Sequence, residues 1–192
     1  KGSRRFFYTN IGTGIGGGLY DGGGFGASSL GYVWVPDWRV NRPGAMTRLE
    51  FLCSGQCMEE RLNRPGYIPA QSVLRTLGRR IACADLAAGA AAGDAFCASE
   101  LDRVAQTFSL GLADILALAS PDRIAIGGGV AKMGEILFSR IRAFTEEYAF
   151  IADVGQYEIL ESQLLDDAVL AGALMYAGNP ELLPVWGRSC VQ

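Results

Sequence analysis

Apolar and polar positions follow two different rhythms along this chain. In the first half they come in short runs broken by glycine. Phe6-Phe7-Tyr8-Thr9-Asn10-Ile11 is apolar enough to predict a buried strand. Gly12-Thr13-Gly14-Ile15-Gly16-Gly17-Gly18 follows, then Leu19-Tyr20 and Asp21-Gly22-Gly23-Gly24. Glycine supplies the positive φ that tight turns need, so this pattern predicts two short strands joined by a glycine turn. Gly31 to Val35 predicts a further strand, which Pro36-Asp37 breaks before an irregular stretch to Pro43-Gly44.

The second half has the helical rhythm. A helix is expected from Met46 to about Leu62, with Gly55 a weak point in its middle. Pro65 and Pro69 punctuate a loop, and the Ala- and Leu-rich stretch Ser72 to Ala91 predicts one or two helices. Leu101, Val104, Ala105, Phe108, Leu112, Ile115 and Leu116 fall on one face of a long amphipathic helix between Ala95 and Leu118. That helix should end at Ser120-Pro121. A short apolar strand through Ile124-Ala125-Ile126 then leads into Gly127-Gly128-Gly129, which should open a helix from about Lys132 to Tyr148. Tyr157 to Leu160 predicts a last strand. Asp166-Asp167 should begin an apolar helix, Ala168 to Ala177, because acidic residues suit a helix N-terminus. No internal repeat and no linker divides the chain.

Composition narrows the chemistry. The 192 residues are 49% hydrophobic, enough for one large domain or one lobe of a two-lobed protein. A net charge of −3 argues against a surface built for nucleic-acid phosphates. No apolar run has the length of a membrane span, and no long apolar run follows the basic start Lys1-Gly2-Ser3-Arg4-Arg5, so it does not read as a signal peptide. A soluble, cytoplasmic protein is expected. There is no histidine, which removes His-based triads, His-ligated zinc and any His general base. Cys53, Cys57, Cys83, Cys97 and Cys190 are odd in number and scattered, so no disulfide framework is expected. Cys53-x3-Cys57 could be half a metal site, but buried thiols on a helix suit it better.

Two glycine clusters carry candidate chemistry. Gly12, Thr13 and Gly14 follow a strand, where bare backbone N–H groups can surround phosphate oxygens and Thr13 can add its hydroxyl. A dinucleotide fingerprint should open a helix, and a P-loop needs Gly-Lys-Ser/Thr; neither fits. The alternative is a hairpin that merely turns. Gly127, Gly128 and Gly129 lie between strand and helix, where a flat ligand could approach the backbone. The alternative there is a tight connection.

Together the clusters resemble the second phosphate loop and the adenosine loop of the actin-like ATPase fold. Four stretches narrow the resemblance to the ROK family (repressor, open reading frame, kinase). These are Gly12 to Gly18, Ala-x-x-Gly-Asp at Ala90 to Asp94, Pro-x-x-Ile-x-Ile-Gly-Gly-Gly-Val at Pro121 to Val130, and Asp-Asp-Ala-x-x-x-Gly-Ala at Asp166 to Ala173. The resemblance implies an α/β lobe of the actin-like (ribonuclease H-like) kind, a mixed sheet with Gly-rich hairpins flanked by helices. Residues 1–192 would be the C-terminal lobe of a two-lobed protein whose N-terminal lobe, with the first phosphate loop and the catalytic Asp, is absent from this chain. It implies ATP and Mg2+ as cofactors, a hexose or hexose-derived substrate, and a homodimer. Gly12, Thr13 and Gly14 would line the phosphates, and Gly127, Gly128 and Gly129 would approach the adenosine. The last helix would pack on the sheet beside the nucleotide.

The chain departs from the family on the sugar side. The Glu-x-Gly-His motif becomes Ser29-Leu30-Gly31-Tyr32, so Ser29 and Tyr32 stand where a carboxylate and an imidazole would. Asn41, Pro43 and Arg48 stand at thiolate positions of the family's structural zinc, so no zinc is expected. Leu49-Glu50 and Ser54-Gly55 match again. Glu50 would be the carboxylate that contacts sugar hydroxyls, against the alternative of an exposed helical Glu. The leading expectation is the nucleotide lobe of an ATP-dependent hexose kinase, inactive as this piece alone. The alternatives are a sugar-sensing repressor or degenerate pseudokinase, with nucleic acid as a partner only if a DNA-binding domain lies upstream, and an α/β module whose glycines only turn.

Overall fold

The computed structural model describes residues 4–22, 24–164, 174, 177 and 178. The acidic pair at 166–167 and the apolar stretch expected to form the last helix lie outside the described residues, apart from isolated positions. Among the described residues a five-stranded mixed sheet runs, across its width, through Phe25–Ser28, Ile15–Tyr20, Phe6–Ile11, Arg123–Gly127 and Glu158–Glu161. Its first three strands, β1 (Phe6–Ile11), β2 (Ile15–Tyr20) and β3 (Phe25–Ser28), form an antiparallel meander. β6 (Arg123–Gly127) runs parallel to β1, and β7 (Glu158–Glu161) parallel to β6. The hairpin Ile11↔Ile15 register leaves Gly12, Thr13 and Gly14 as its turn.

Helices α1 (Leu49–Cys53), α2 (Gly55–Leu62), α3 (Cys83–Ala91), α4 (Ala95–Ala119) and α5 (Glu135–Tyr148) supply the rest of the core. Phe7 and Ile11 of β1 alternate with half-buried neighbours, whereas Ile124, Ala125, Ile126 and Gly127 of β6 are all buried. A strand covered on both faces reads as a continuous apolar run, and this one did. Leu101, Val104, Phe108 and Leu112 of α4 pack with Leu137, Phe138 and Ile141 of α5 in the same core. Each such side chain contributes about 1.5–3 kcal/mol on burial. The long helix ends at Ser120, whose φ of 43° is left-handed, just before Pro121.

The structure corrects several boundaries. The helix expected from Met46 to Leu62 is three elements. Met46–Arg48 is strand β5, paired with β4 (Trp34–Pro36), and α1 and α2 are separated at Ser54. Ser54 is extended, and its hydroxyl caps α2 by accepting from the Cys57 amide at 3.3 Å. Cys53 and Cys57 therefore sit on different helices, with Cys53 buried and Cys57 half-buried. The strand expected from Gly31 begins as a 3-10 turn, Leu30–Tyr32, and Ser72 to Ala91 holds a short 3-10 turn, Val73–Thr76, before α3. The triple glycine does not open α5 directly. A 3-10 turn, Ala131–Met133, intervenes, and Gly134 with φ of 67° starts the helix.

Asp94 caps α4 by accepting from the Cys97 amide at 2.9 Å and also accepts from the Val73 amide at 2.7 Å. Burial alone would raise its pKa, but these amides and the Ser72 hydroxyl outweigh that and hold it below 3.8. Arg39 does the same for Asp37, and Arg79 for Asp85. A carboxylate with a depressed folded pKa stabilises the fold fully above its unfolded pKa. That stability is lost as pH falls through the folded value. The urea midpoint should therefore fall steadily below about pH 4, and Asp94→Asn should flatten part of that slope. A slope unchanged by Asp94→Asn would remove Asp94 from this account.

Candidate nucleotide and sugar site

Three turns meet at the carboxyl ends of the parallel strands β1 and β6. In the β1–β6 register Asn10 pairs with Gly127, so the hairpin turn after β1 and the turn after β6 lie side by side. Ligands of open α/β sheets bind at such strand ends. The two turns are joined by backbone: the Val130 amide donates to the Ile11 carbonyl at 3.0 Å. Gly128 has φ of 88°, and a Cβ there would lie 2.6 Å from the Ile11 carbonyl oxygen. Only glycine allows that approach.

The third turn is the break between α1 and α2. The Gly55 amide donates to the Gly12 carbonyl at 2.7 Å. A Cβ on Gly55 would lie 3.0 Å from both that oxygen and Val130 Cγ2. Gly55, expected to be a weak point of one helix, is instead the place where α2 meets both glycine turns.

The hairpin turn retains its own donors. The Gly12 amide is spent on the Gly14 carbonyl at 2.9 Å, while the Thr13 and Gly14 amides and the Thr13 hydroxyl have no hydrogen-bond partner among the described residues. Thr13 and Gly129 are both exposed, and a Cβ on Gly129 would meet nothing within 4 Å. These bare amides and open backbone fit a phosphate and a flat ring. Behind the turn, the buried Thr9 hydroxyl donates to the Gly16 carbonyl at 2.8 Å, and Asn10 Oδ1 accepts from the Gly16 amide at 3.2 Å.

Glu50 is half-buried and not a freely solvated helical side chain. Its Oε2 accepts from the Ile15 amide at 2.7 Å, so one carboxylate oxygen ties α1 to the hairpin. Gly31 makes room for it: a Cβ there would lie 2.5 Å from the Ile15 carbonyl and 3.2 Å from Glu50 Oε2. The structure thus brings Glu50, Gly14 and Gly31 together. Ser29 precedes the 3-10 turn that carries Gly31 and Tyr32 ends it; both are exposed, Tyr32 by 61%. Sequence reasoning missed Gly31 and Gly55 as packing positions. The signal for Gly55 was the preceding Ser54, a helix-capping residue inside an apparent helix.

No group of three or more Cys, Asp or Glu side chains suited to a metal occurs among the described residues.

The chain is 33% identical over 175 residues to a glucokinase of Thermotoga maritima, covering 85% of this chain and 55% of that protein. It therefore spans little more than half the length of this curated relative. It superimposes with a TM-score of 0.74 and 25% identity on a ROK family glucokinase from Streptomyces griseus, solved in complex with glucose and AMPPNP. That match covers 90% of this chain and 60% of the other. A ROK family transcriptional regulator, homologous to the E. coli MLC protein, shares the fold with a TM-score of 0.69 and 24% identity, covering 88% and 44%. The family model of the ROK family matches residues 1–179, and the chain belongs to that family.

Proposed function

We propose that this chain is the nucleotide-binding lobe, with part of the sugar site, of an ATP-dependent hexose kinase. The observation that carries the proposal is the meeting of the two glycine turns at the ends of β1 and β6, with Glu50 bonded to the same hairpin. One turn would hold the phosphates and the other the adenosine. Phosphoryl transfer rests mainly on positioning and on stabilising charge, which backbone donors supply well. ATP with Mg2+ would supply the γ-phosphoryl group. In this chain the Thr13 and Gly14 amides would orient the phosphates, and Glu50 would accept hydrogen bonds from sugar hydroxyls. A carboxylate that the turns and Glu50 do not themselves supply would take the proton from the attacking hydroxyl. A cytoplasmic homodimer follows from the family resemblance; no helix among the described residues is long and apolar enough to cross a membrane.

The test is phosphoryl transfer from ATP to a panel of hexoses by the intact protein. Glu50→Gln keeps the shape and an acceptor for the Ile15 amide but loses the charge. Hydrogen bonds to a charged group are worth about 1.5–3 kcal/mol, so hexose KM should rise at least about tenfold while ATP KM stays within about twofold. Equal effects on both substrates would contradict the assignment of Glu50. The altered Ser29-Leu30-Gly31-Tyr32 motif favours a second reading, a sugar-sensing regulator. Hexose binding without any phosphoryl transfer would support it over the kinase.

A further inference from the structure

Helix α1 has five residues and no side-chain cap at its start, so it cannot hold its own direction. Its neighbours must set where Glu50 points. We propose that Arg48 is a positioning residue for the sugar site, clamping the 3-10 turn Leu30–Tyr32 to the start of α1. The inference deepens the kinase reading and rests on Glu50 being part of the sugar site.

Arg48 ends β5, directly opposite Trp34 of β4. Its guanidinium lies 4.0 Å from the centre of the Trp34 ring and 5.8 Å from that of Tyr32. Its Nη1 donates to the Tyr32 carbonyl at 2.6 Å. The next amide, Leu49, donates to the Val33 carbonyl at 3.0 Å. The following residue is Glu50, whose carboxylate lies against Gly31 and accepts from Ile15. Residues 48–50 and 31–33 are therefore joined by two hydrogen bonds and by the close packing of Glu50 on Gly31, and Arg48 supplies the outer bond. Arg39 braces the other side, donating to the Phe51 carbonyl at 3.2 Å and the Thr47 hydroxyl at 3.3 Å.

Arg48 forms no ion pair among the described residues. Its planar fork serves ring stacking and a directed bond to one carbonyl, a combination that lysine cannot reproduce. Trp34 and Tyr32 are 59% and 61% exposed, so the stack does not serve to bury them. What the stack fixes is the turn that carries Gly31 and, through it, the space for Glu50.

The experiment compares wild type, Arg48→Ala and Arg48→Lys in the intact protein. Misplacing a binding group by about 1 Å can cost up to about a hundredfold, so Arg48→Ala should raise hexose KM at least about tenfold. ATP KM should stay within about twofold, and kcat at saturating hexose within about threefold. Arg48→Lys should lie nearer to Ala than to wild type. Amide exchange supplies a second measurement that does not depend on activity. In Arg48→Ala the Ile15 and Leu49 amides should exchange at least about fivefold faster, with those of Ile124 to Ile126 unchanged. An unchanged hexose KM with unchanged exchange overturns the clamp. So does a parallel loss of both KM values, kcat and thermal stability, which would mark a general packing role. If wild type transfers no phosphoryl group, the kinase reading has failed, and exchange at Ile15 and Leu49 alone decides whether Arg48 holds α1.

Discussion

Gly128→Val is expected to lower the melting temperature by about 5–15 °C and to weaken nucleotide binding severely, by about a hundredfold where the fold survives. The residue has φ of 88°, which costs a side chain about 1–2 kcal/mol. A Cβ would also lie 2.6 Å from the Ile11 oxygen, 2.8 Å from its carbon and 3.0 Å from its nitrogen. Crowding of that kind costs about 1–3 kcal/mol, so about 2–5 kcal/mol is at stake. None of the three atoms can swing aside, because Ile11 is the end of a paired strand and its carbonyl accepts from Val130. Relief must come from moving the turn, which changes the surface offered to an adenosine. Thermal unfolding and calorimetry read the two effects separately. A variant with wild-type stability would contradict the packing described for this turn.

Glu100→Ala should cost about 3–5 kcal/mol, the usual penalty for leaving a buried charge without its partner. Arg61 is 2% exposed and Glu100 1% exposed, and Arg61 Nε donates to Glu100 Oε2 at 3.2 Å. Tyr67 donates its hydroxyl to Glu100 Oε1 at 2.7 Å, and Arg103 donates to the same oxygen at 3.2 Å. Arg61 also donates to the Leu52 carbonyl and stacks 4.9 Å from the Trp38 ring centre. Burial, with Glu100 beside it, pushes the Tyr67 hydroxyl up to about 12. The cluster joins α1, α2, α4 and the loop after α2, and so holds the helix whose first amide meets Gly12. A double variant that replaces Arg61 and Glu100 with apolar residues of similar volume should recover most of the loss. Urea unfolding measures both, and a cost under about 1 kcal/mol for Glu100→Ala would contradict the description of a buried pair.

Much of the fold was legible because each signal was local. The strand Phe6 to Ile11 showed as an apolar run and the long helix from Ala95 as a helical period, and both are observed within a residue of their expected ends. The glycine turns were legible as motifs, yet their joint position was not, since it depends on β1 and β6 being parallel neighbours. The segment from Met46 to Leu62 misled because its apolar spacing is helical throughout. Tertiary pairing of Met46–Arg48 with β4 and the Gly55–Gly12 bond split it. Glu50 was legible as a candidate, whereas its bond to the Ile15 amide joins residues far apart in sequence. Arg48 gave no sequence signal beyond standing where the family places a thiolate.

The turns after β1 and β6 are proposed to form one nucleotide site. Calorimetric titration of the intact protein with AMPPNP and magnesium, in wild type and in Gly129→Ala, tests it most directly. Gly129 is exposed, and an added methyl group meets nothing within 4 Å, so the fold has no reason to respond. Saturable binding is expected in wild type, with at least about a tenfold loss of affinity in Gly129→Ala and the melting temperature unchanged. No binding by wild type, or equal affinity in the two proteins, would contradict it.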